Sequence, residues 1–246
     1  MQRSDPSQII ETARLSGKPD LHFISRAEPP GRNLGVFPAS FNPVTTAHIE
    51  LLSRAANEFS LDEVLALAGT SNADKSEYDC LLDDRLRMLQ LALVQVPNAS
   101  IGICSTPFFV DMIEAAIAVY PPDTQLSFIL GIDTFVRVLD LDGKYVQRYQ
   151  KPFTDRSHAL EYLLSKSRLI VAERSYPGRP DVDDLLSRHP GIKPSQVQLM
   201  DFPLDFSERS ATEVRDALRS GRSIAGLVPP AVENYIHQHR LYGATS

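Results

Sequence analysis

The chain of 246 residues has no tryptophan and only two cysteines, Cys80 and Cys104. Their spacing matches neither a metal-ligating pattern nor a disulfide framework, and it fits a reducing compartment. No apolar run approaches the roughly 20 residues that a membrane-spanning helix needs. The N-terminal segment MQRSDPSQIIETARLSG is too polar for a secretory leader, so a cytosolic or nuclear protein is expected. Net positive charge is lacking as well: 25 basic residues against 31 acidic ones leave −6. A global field that draws in nucleic acid or an anionic membrane is thereby excluded, and any anion must be held by local donors. Two phosphate-binding signatures are also missing. No G-x-x-x-x-G-K-[ST] and no G-x-G-x-x-G occur, so a P-loop and a standard dinucleotide fingerprint are excluded.

What is present reads as an ordinary globular chain, 43% apolar and 23% charged, long enough for a sizeable core. Pro6 to Gly17 has the spacing of a short amphipathic helix, and Glu28 to Asn33 reads as a loop. From there short apolar runs alternate with helical periodicity. Strands are predicted at 34–41, 63–69, 100–106, 125–131, 167–174 and 196–202. Helices are predicted at 46–60, 82–95, 108–121, from 132, at 211–221 and at 230–239. Pro38 interrupts the first of these strands, which must therefore end early, bulge or lie where its N–H is not needed. Strands without polar alternation are buried on both faces, which predicts a parallel sheet with helices on both sides. Ligands in such sheets sit beyond the carboxyl ends of the strands, where strand order reverses. The polar segment Asp142 to Ser167 reads as an irregular excursion or lid on the substrate side.

The stretch following the first predicted strand is ASFNPVTTAH, residues 39–48. Asn42 and Pro43 favour a turn. Backbone N–H groups at Ser40 and Phe41 can face outward, Thr45 or Thr46 can cap the next helix, and His48 falls in its first turn. Orphan N–H groups and the positive dipole end converge there, making an anion site.

These residues resemble the signature G-x-F-[DN]-P-x-[HT]-x-x-H of the nucleotidylyltransferase superfamily, in the form found in nicotinamide/nicotinate mononucleotide adenylyltransferases. Thr45 takes the variable first position and His48 the second, while Ala39 and Ala47 stand where many members have Gly. Far along the chain, FSERSATEVRDALRSGRSIAGLVPPAVENYIHQHRLYG resembles the family's C-terminal block, with Ser210, Thr212 and Arg215 at its functional positions and Ala211 replacing a common Ser. The resemblance runs from about residue 34 to the end and implies a Rossmann-like doubly wound α/β sheet, one domain with C-terminal helices at 34–246, preceded by an N-terminal helix and linker at 1–33.

It also implies adenylyl transfer from ATP to a pyridine mononucleotide with loss of pyrophosphate, as in NAD biosynthesis. Positioning and electrostatics do most of that work. By the resemblance His48, Arg215 and Lys75 are catalytic; Ser40, Phe41, Thr45, Ser210, Thr212 and Arg85 hold ATP phosphates; Gly131, Asp133 and Arg174 meet substrate. Mg²⁺ is expected as the companion of ATP, bound through phosphates and water rather than through a protein carboxylate cage. The implied partners are ATP and a pyridine mononucleotide, without nucleic acid or membrane, and an oligomer is compatible. The family often stacks a Trp on the pyridine ring. Here Tyr145, Tyr149 or Phe153 must serve, or the acceptor is another phosphorylated compound. A related enzyme using CTP and a diverged nucleotide-binding regulator are the alternatives. Asp83–Asp84 and Asp183–Asp184 read as helix starts, and His22, His158, His189, His237 and His239 as surface or packing residues.

Overall fold

In a computed structural model, which describes residues 6–71, 78–140, 142–173, 182–189, 191–203 and 209–244, the apolar runs assemble into one seven-stranded sheet. The strands are β1 (Leu21–Ser25), β2 (Asn33–Pro38), β3 (Glu63–Gly69), β4 (Ala99–Cys104), β5 (Gln125–Gly131), β6 (Ser167–Glu173) and β7 (Val197–Asp201). Their order is β1-β4-β3-β2-β5-β6-β7. All pairs are parallel except β1 with β4. Without β1, this is the doubly wound order in which the chain reverses direction across the sheet between β2 and β5. Both strands are buried through their middles, as their unbroken apolar sequences require.

Helices cover both faces. α1 (Pro6–Leu15), α2 (Thr46–Glu58), α3 (Leu82–Leu93), α8 (Ala211–Arg219) and α9 (Pro230–Gln238) pack on one; α4 (Phe109–Val119), α5 (Ile132–Leu139), α6 (Arg156–Lys166) and α7 (Val182–Ser187) pack on the other. Successive strand side chains serve opposite layers. On β3, Val64, Ala66 and Ala68 join the first core and Leu65 and Leu67 the second. At the end of the sheet remote from the strands' carboxyl ends, Glu63 is 1% exposed yet fully satisfied. It accepts from the Gly31 N–H (2.7 Å), Ser100 Oγ (2.5 Å) and Tyr120 Oη (2.6 Å), fastening the entry to β2 onto β4 and α4.

Three features depart from the sequence-based expectation. Leu21–Ser25 is a strand within a segment expected to hold only a helix and linker; LHFIS is short and mixes polar with apolar residues, so it lacks the continuous run of its neighbours. The expected irregular excursion contains α6, whose weak amphipathicity hides it until Leu163 and Leu164 are seen packed on the second face. The strand expected to reach Phe41 stops at Pro38, where the ladder continues by one bond, Ala39 N–H to Leu67 O (3.1 Å). The Asp83–Asp84 and Asp183–Asp184 pairs do lie in first helical turns.

Candidate active site

A cleft of about 390 Å³ opens beyond the carboxyl ends of β2 and β5, at the reversal of strand order. One half of its wall is polar and cationic, from the β2–α2 turn and the start of α8. The other half is aromatic, from the start of α4, from α5 and from the segment 145–149.

The β2–α2 turn is built to show donors. Phe41 adopts φ +47°, a left-handed conformation that costs a bulky residue about 1–2 kcal/mol. Its ring is 2% exposed, set edge-on against Phe37 (5.7 Å) and His48 (5.6 Å), which holds the turn in place. Ser40 O accepts from Arg85 Nη1 at 2.6 Å. N–H and C=O of one peptide point in opposite directions. Ser40 O is turned onto Arg85, and the Phe41 N–H, on the opposite side of that peptide, has no acceptor among the described residues. Asn42 O accepts from Arg215 Nη1 (2.6 Å), and Asn42 Oδ1 from Tyr242 Oη (2.9 Å). Two arginines and a tyrosine from distant parts of the chain thus fix one turn.

Thr45 is the N-cap of α2 and His48 its third helical residue. The Thr45 N–H lies 2.9 Å from His48 Nδ1, and Thr45 Oγ1 lies 3.0 Å from the same atom. A backbone N–H can only donate, so Nδ1 accepts and the neutral ring carries its proton on Nε2. The reciprocal contact is a capping box in which histidine plays the part usually taken by Glu. It makes His48 a donor of fixed orientation at the positive end of α2. Thr45 itself is buried, and its hydroxyl is engaged with the histidine.

At the other end of the chain, Ser210 caps α8 by accepting from the Glu213 N–H (3.1 Å). Arg215 donates to Asn42 O and, through Nη2, to Thr212 Oγ1 (3.2 Å), while Nε lies 3.0 Å from Asp79 Oδ2 in an ion pair whose geometry falls short of a hydrogen bond. Asp79 also pairs with Arg219 (3.2 Å). The arginine expected only to grip phosphates therefore ties α8 to the β2–α2 turn.

The structure brings Ser40, Phe41, Thr45, His48, Gly131, Asp133, Ser210, Thr212 and Arg215 to one cleft. A Cβ on Gly131 would meet nothing within 4 Å, so this position keeps the floor open. Gly131 is the N-cap of α5 and Asp133 lies in its first turn, exposed to the cleft. Arg85 stands apart from this group. It is 3% exposed, its guanidinium lies 3.9 Å from the Tyr78 ring centre, and it braces Ser40 instead of facing the cleft. Burial lowers its pKa, which the neighbouring Tyr78 opposes. Lys75 and Arg174 lie outside the described residues. Of the three aromatic candidates, Tyr145 and Tyr149 line the cleft; Phe153 instead packs behind Tyr149 at 5.8 Å. Sequence reasoning missed Arg209, Arg137, Tyr78 and Phe108, all in the wall. Arg209 immediately precedes Ser210, and Arg137 is one helical turn beyond Asp133, so both carried a positional signal.

The cytidylyltransferase-like family model matches residues 36–217. A protein from Geobacter sulfurreducens named as a probable nicotinate-nucleotide adenylyltransferase is 31% identical over 232 residues, covering 85% of this chain and 97% of its own. One of the same name from Dehalococcoides mccartyi is 28% identical over 216 residues, covering 85% and 96%. In structure, the chain is similar to Plasmodium falciparum nicotinic acid mononucleotide adenylyltransferase complexed with NaAD, with TM-score 0.64, 19% identity, and coverage of 87% of this chain and 98% of that one. The likeness confirms the Rossmann-like α/β fold, and the family model embraces both halves of the cleft's polar wall. The chain belongs to the cytidylyltransferase-like family and is a nucleotidyltransferase.

Proposed function

We propose that this protein transfers AMP from ATP to a pyridine mononucleotide, in NAD biosynthesis. An oxygen of the mononucleotide phosphate attacks the α-phosphorus. The bond from that phosphorus to the oxygen bridging to the β-phosphate breaks, and pyrophosphate leaves. Negative charge grows on the α-phosphate oxygens, and the observation that carries the proposal is the set of groups gathered on one cleft wall: His48 with its proton on Nε2, the Phe41 turn and the start of α2. Preorganised donors of this kind lower the barrier because they need no reorientation as charge develops. Arg215 and the hydroxyls of Ser210 and Thr212 suit the β- and γ-phosphates, and Arg209 adds charge beside them. The aromatic half suits the pyridine ring of the acceptor.

Among the described residues no group of three His, Cys, Asp or Glu side chains could hold a metal ion. The cleft's cationic and N–H donors fit a triphosphate that brings Mg²⁺ on its own oxygens, where the ion screens the leaving pyrophosphate. The test is direct. Purified protein is incubated with ATP, Mg²⁺ and either nicotinate or nicotinamide mononucleotide, and dinucleotide and pyrophosphate are measured. The relatives' names put the acid form first in that assay. Absence of dinucleotide with both refutes the reading; pyrophosphate released only with another phosphorylated acceptor redirects it.

A further inference from the structure

The second layer holds a carboxylate that the proposed chemistry does not use. Asp111, in the first turn of α4, is 0% exposed. Its Oδ1 accepts from the backbone N–H of Gln150 (3.2 Å). Its Oδ2 makes no well-formed hydrogen bond among the described residues, although the Thr106 hydroxyl is close by. Burying a carboxylate with so few partners costs several kcal/mol unless the group neutralises. Burial pushes the Asp111 carboxyl up in pKa; the Gln150 N–H and the Thr106 hydroxyl pull it down, and Glu114 pushes it up again.

The bond to Gln150 leads to the aromatic half of the cleft. Residues 145–149 contribute Tyr145 and Tyr149 to the wall. This arch is pinned at its start by Asp140, which accepts from the Lys144 N–H (2.9 Å) and the Tyr145 N–H (3.1 Å). It is pinned at its end by Asp111. Between the pins, Tyr149 sets its ring edge-on against Phe108 (5.4 Å), and the Arg148 guanidinium lies 5.0 Å from the Phe108 ring centre. Phe108 directly precedes α4, the helix that carries Asp111. One short helical turn therefore supplies both a wall residue and the anchor of the facing tyrosine.

We propose that Asp111 is a positioning residue for the acceptor: through the Gln150 N–H it holds Tyr149 against Phe108, and so fixes the aromatic wall on which the acceptor's ring rests. The inference rests on the reading that a pyridine mononucleotide occupies the aromatic half. Asp111→Leu separates this role from a merely structural one. Leucine keeps the branched shape without an acceptor, and relief of the buried carboxyl offsets the unpaired Gln150 N–H that it leaves. Asp111→Asn keeps the acceptor oxygen and serves as the control.

Two measurements decide it. Amide hydrogen exchange over residues 145–150 should quicken about tenfold in Asp111→Leu, the loss expected for one buried hydrogen bond, and stay near wild type in Asp111→Asn. In the transferase assay Asp111→Leu should raise the acceptor KM about tenfold with the ATP KM unchanged within twofold, while its Tm holds or rises. Unchanged exchange in Asp111→Leu, or a rise of both KM values together, overturns the proposal. Should Asp111→Leu fail to fold, Asp111→Ala takes its place under the same criteria. A wild type that makes no dinucleotide refutes the functional reading alone, because the exchange measurement still decides whether Asp111 holds the arch.

Discussion

Arg215→Lys is the most demanding test of the polar wall. The substitution keeps the charge and much of the reach but loses the fork. In the wild type, Nη1 holds Asn42 O at 2.6 Å, Nη2 holds Thr212 Oγ1 at 3.2 Å, and Nε lies 3.0 Å from Asp79. A lysine ammonium cannot serve these three directions and a phosphate together. Asn42 is 7% exposed, so its carbonyl is then left without a donor in a place water reaches poorly. Hydrogen bonds from a charged donor contribute about 1.5–3 kcal/mol each. Losing one such bond to the turn and weakening one to phosphate gives roughly 2–3 kcal/mol, or about 30- to 150-fold in kcat/KM for ATP. The acceptor KM should move little, because the aromatic half does not touch Arg215. The assay is initial-rate pyrophosphate release with each substrate varied in turn, beside a melting curve to show that the variant is folded. A folded Arg215→Lys enzyme within threefold of wild type refutes the claim that the fork is needed.

Thr45→Val removes the hydroxyl from His48 Nδ1 but leaves the backbone N–H, so kcat should fall less than about tenfold; His48→Ala should fall about 10²- to 10³-fold, and equal losses would refute the orienting role. Tyr242→Phe strips the buried donor from Asn42 Oδ1, for an expected loss of about 1–3 kcal/mol and a Tm drop of roughly 2–8 °C with reduced kcat; an unchanged Tm counts against it. Burial pushes the Cys80 and Cys104 thiols up to about 11, from an ordinary 9.0. Below pH 9 both states hold these protons; above it the unfolded chain releases them first, so stability should fall as pH climbs from 9 towards 11. Denaturant midpoints at pH 7.5 and 10 should diverge less in a Cys80→Ala/Cys104→Ala variant, and an identical divergence would refute the assignment.

The β2–α2 turn was legible in the sequence because its parts are local. Asn-Pro makes the turn, Thr45 caps, and His48 follows at a fixed helical offset, so all three could be placed without knowing the fold. The setting of Arg85 was not legible, for the opposite reason. Nothing in DDRLRM says that this arginine turns inward beneath Tyr78 to brace Ser40 from behind. The role of Asp111 was invisible likewise, since its partner, Gln150, lies beyond two intervening elements. β1 escaped notice because an antiparallel edge strand of five residues leaves almost no periodic trace.

By itself, the sequence determined the alternation of buried strands and amphipathic helices, the turn at 39–48 and the helix start at Ser210, because each follows from contacts within a few residues. Only the tertiary structure decided that Arg215 and Tyr242 close on Asn42 across much of the chain. It also decided that two carboxylates pin the aromatic arch. Hydrogen bonds between remote segments depend on the sheet order that brings those segments together, and that order is a property of the whole core rather than of any one stretch.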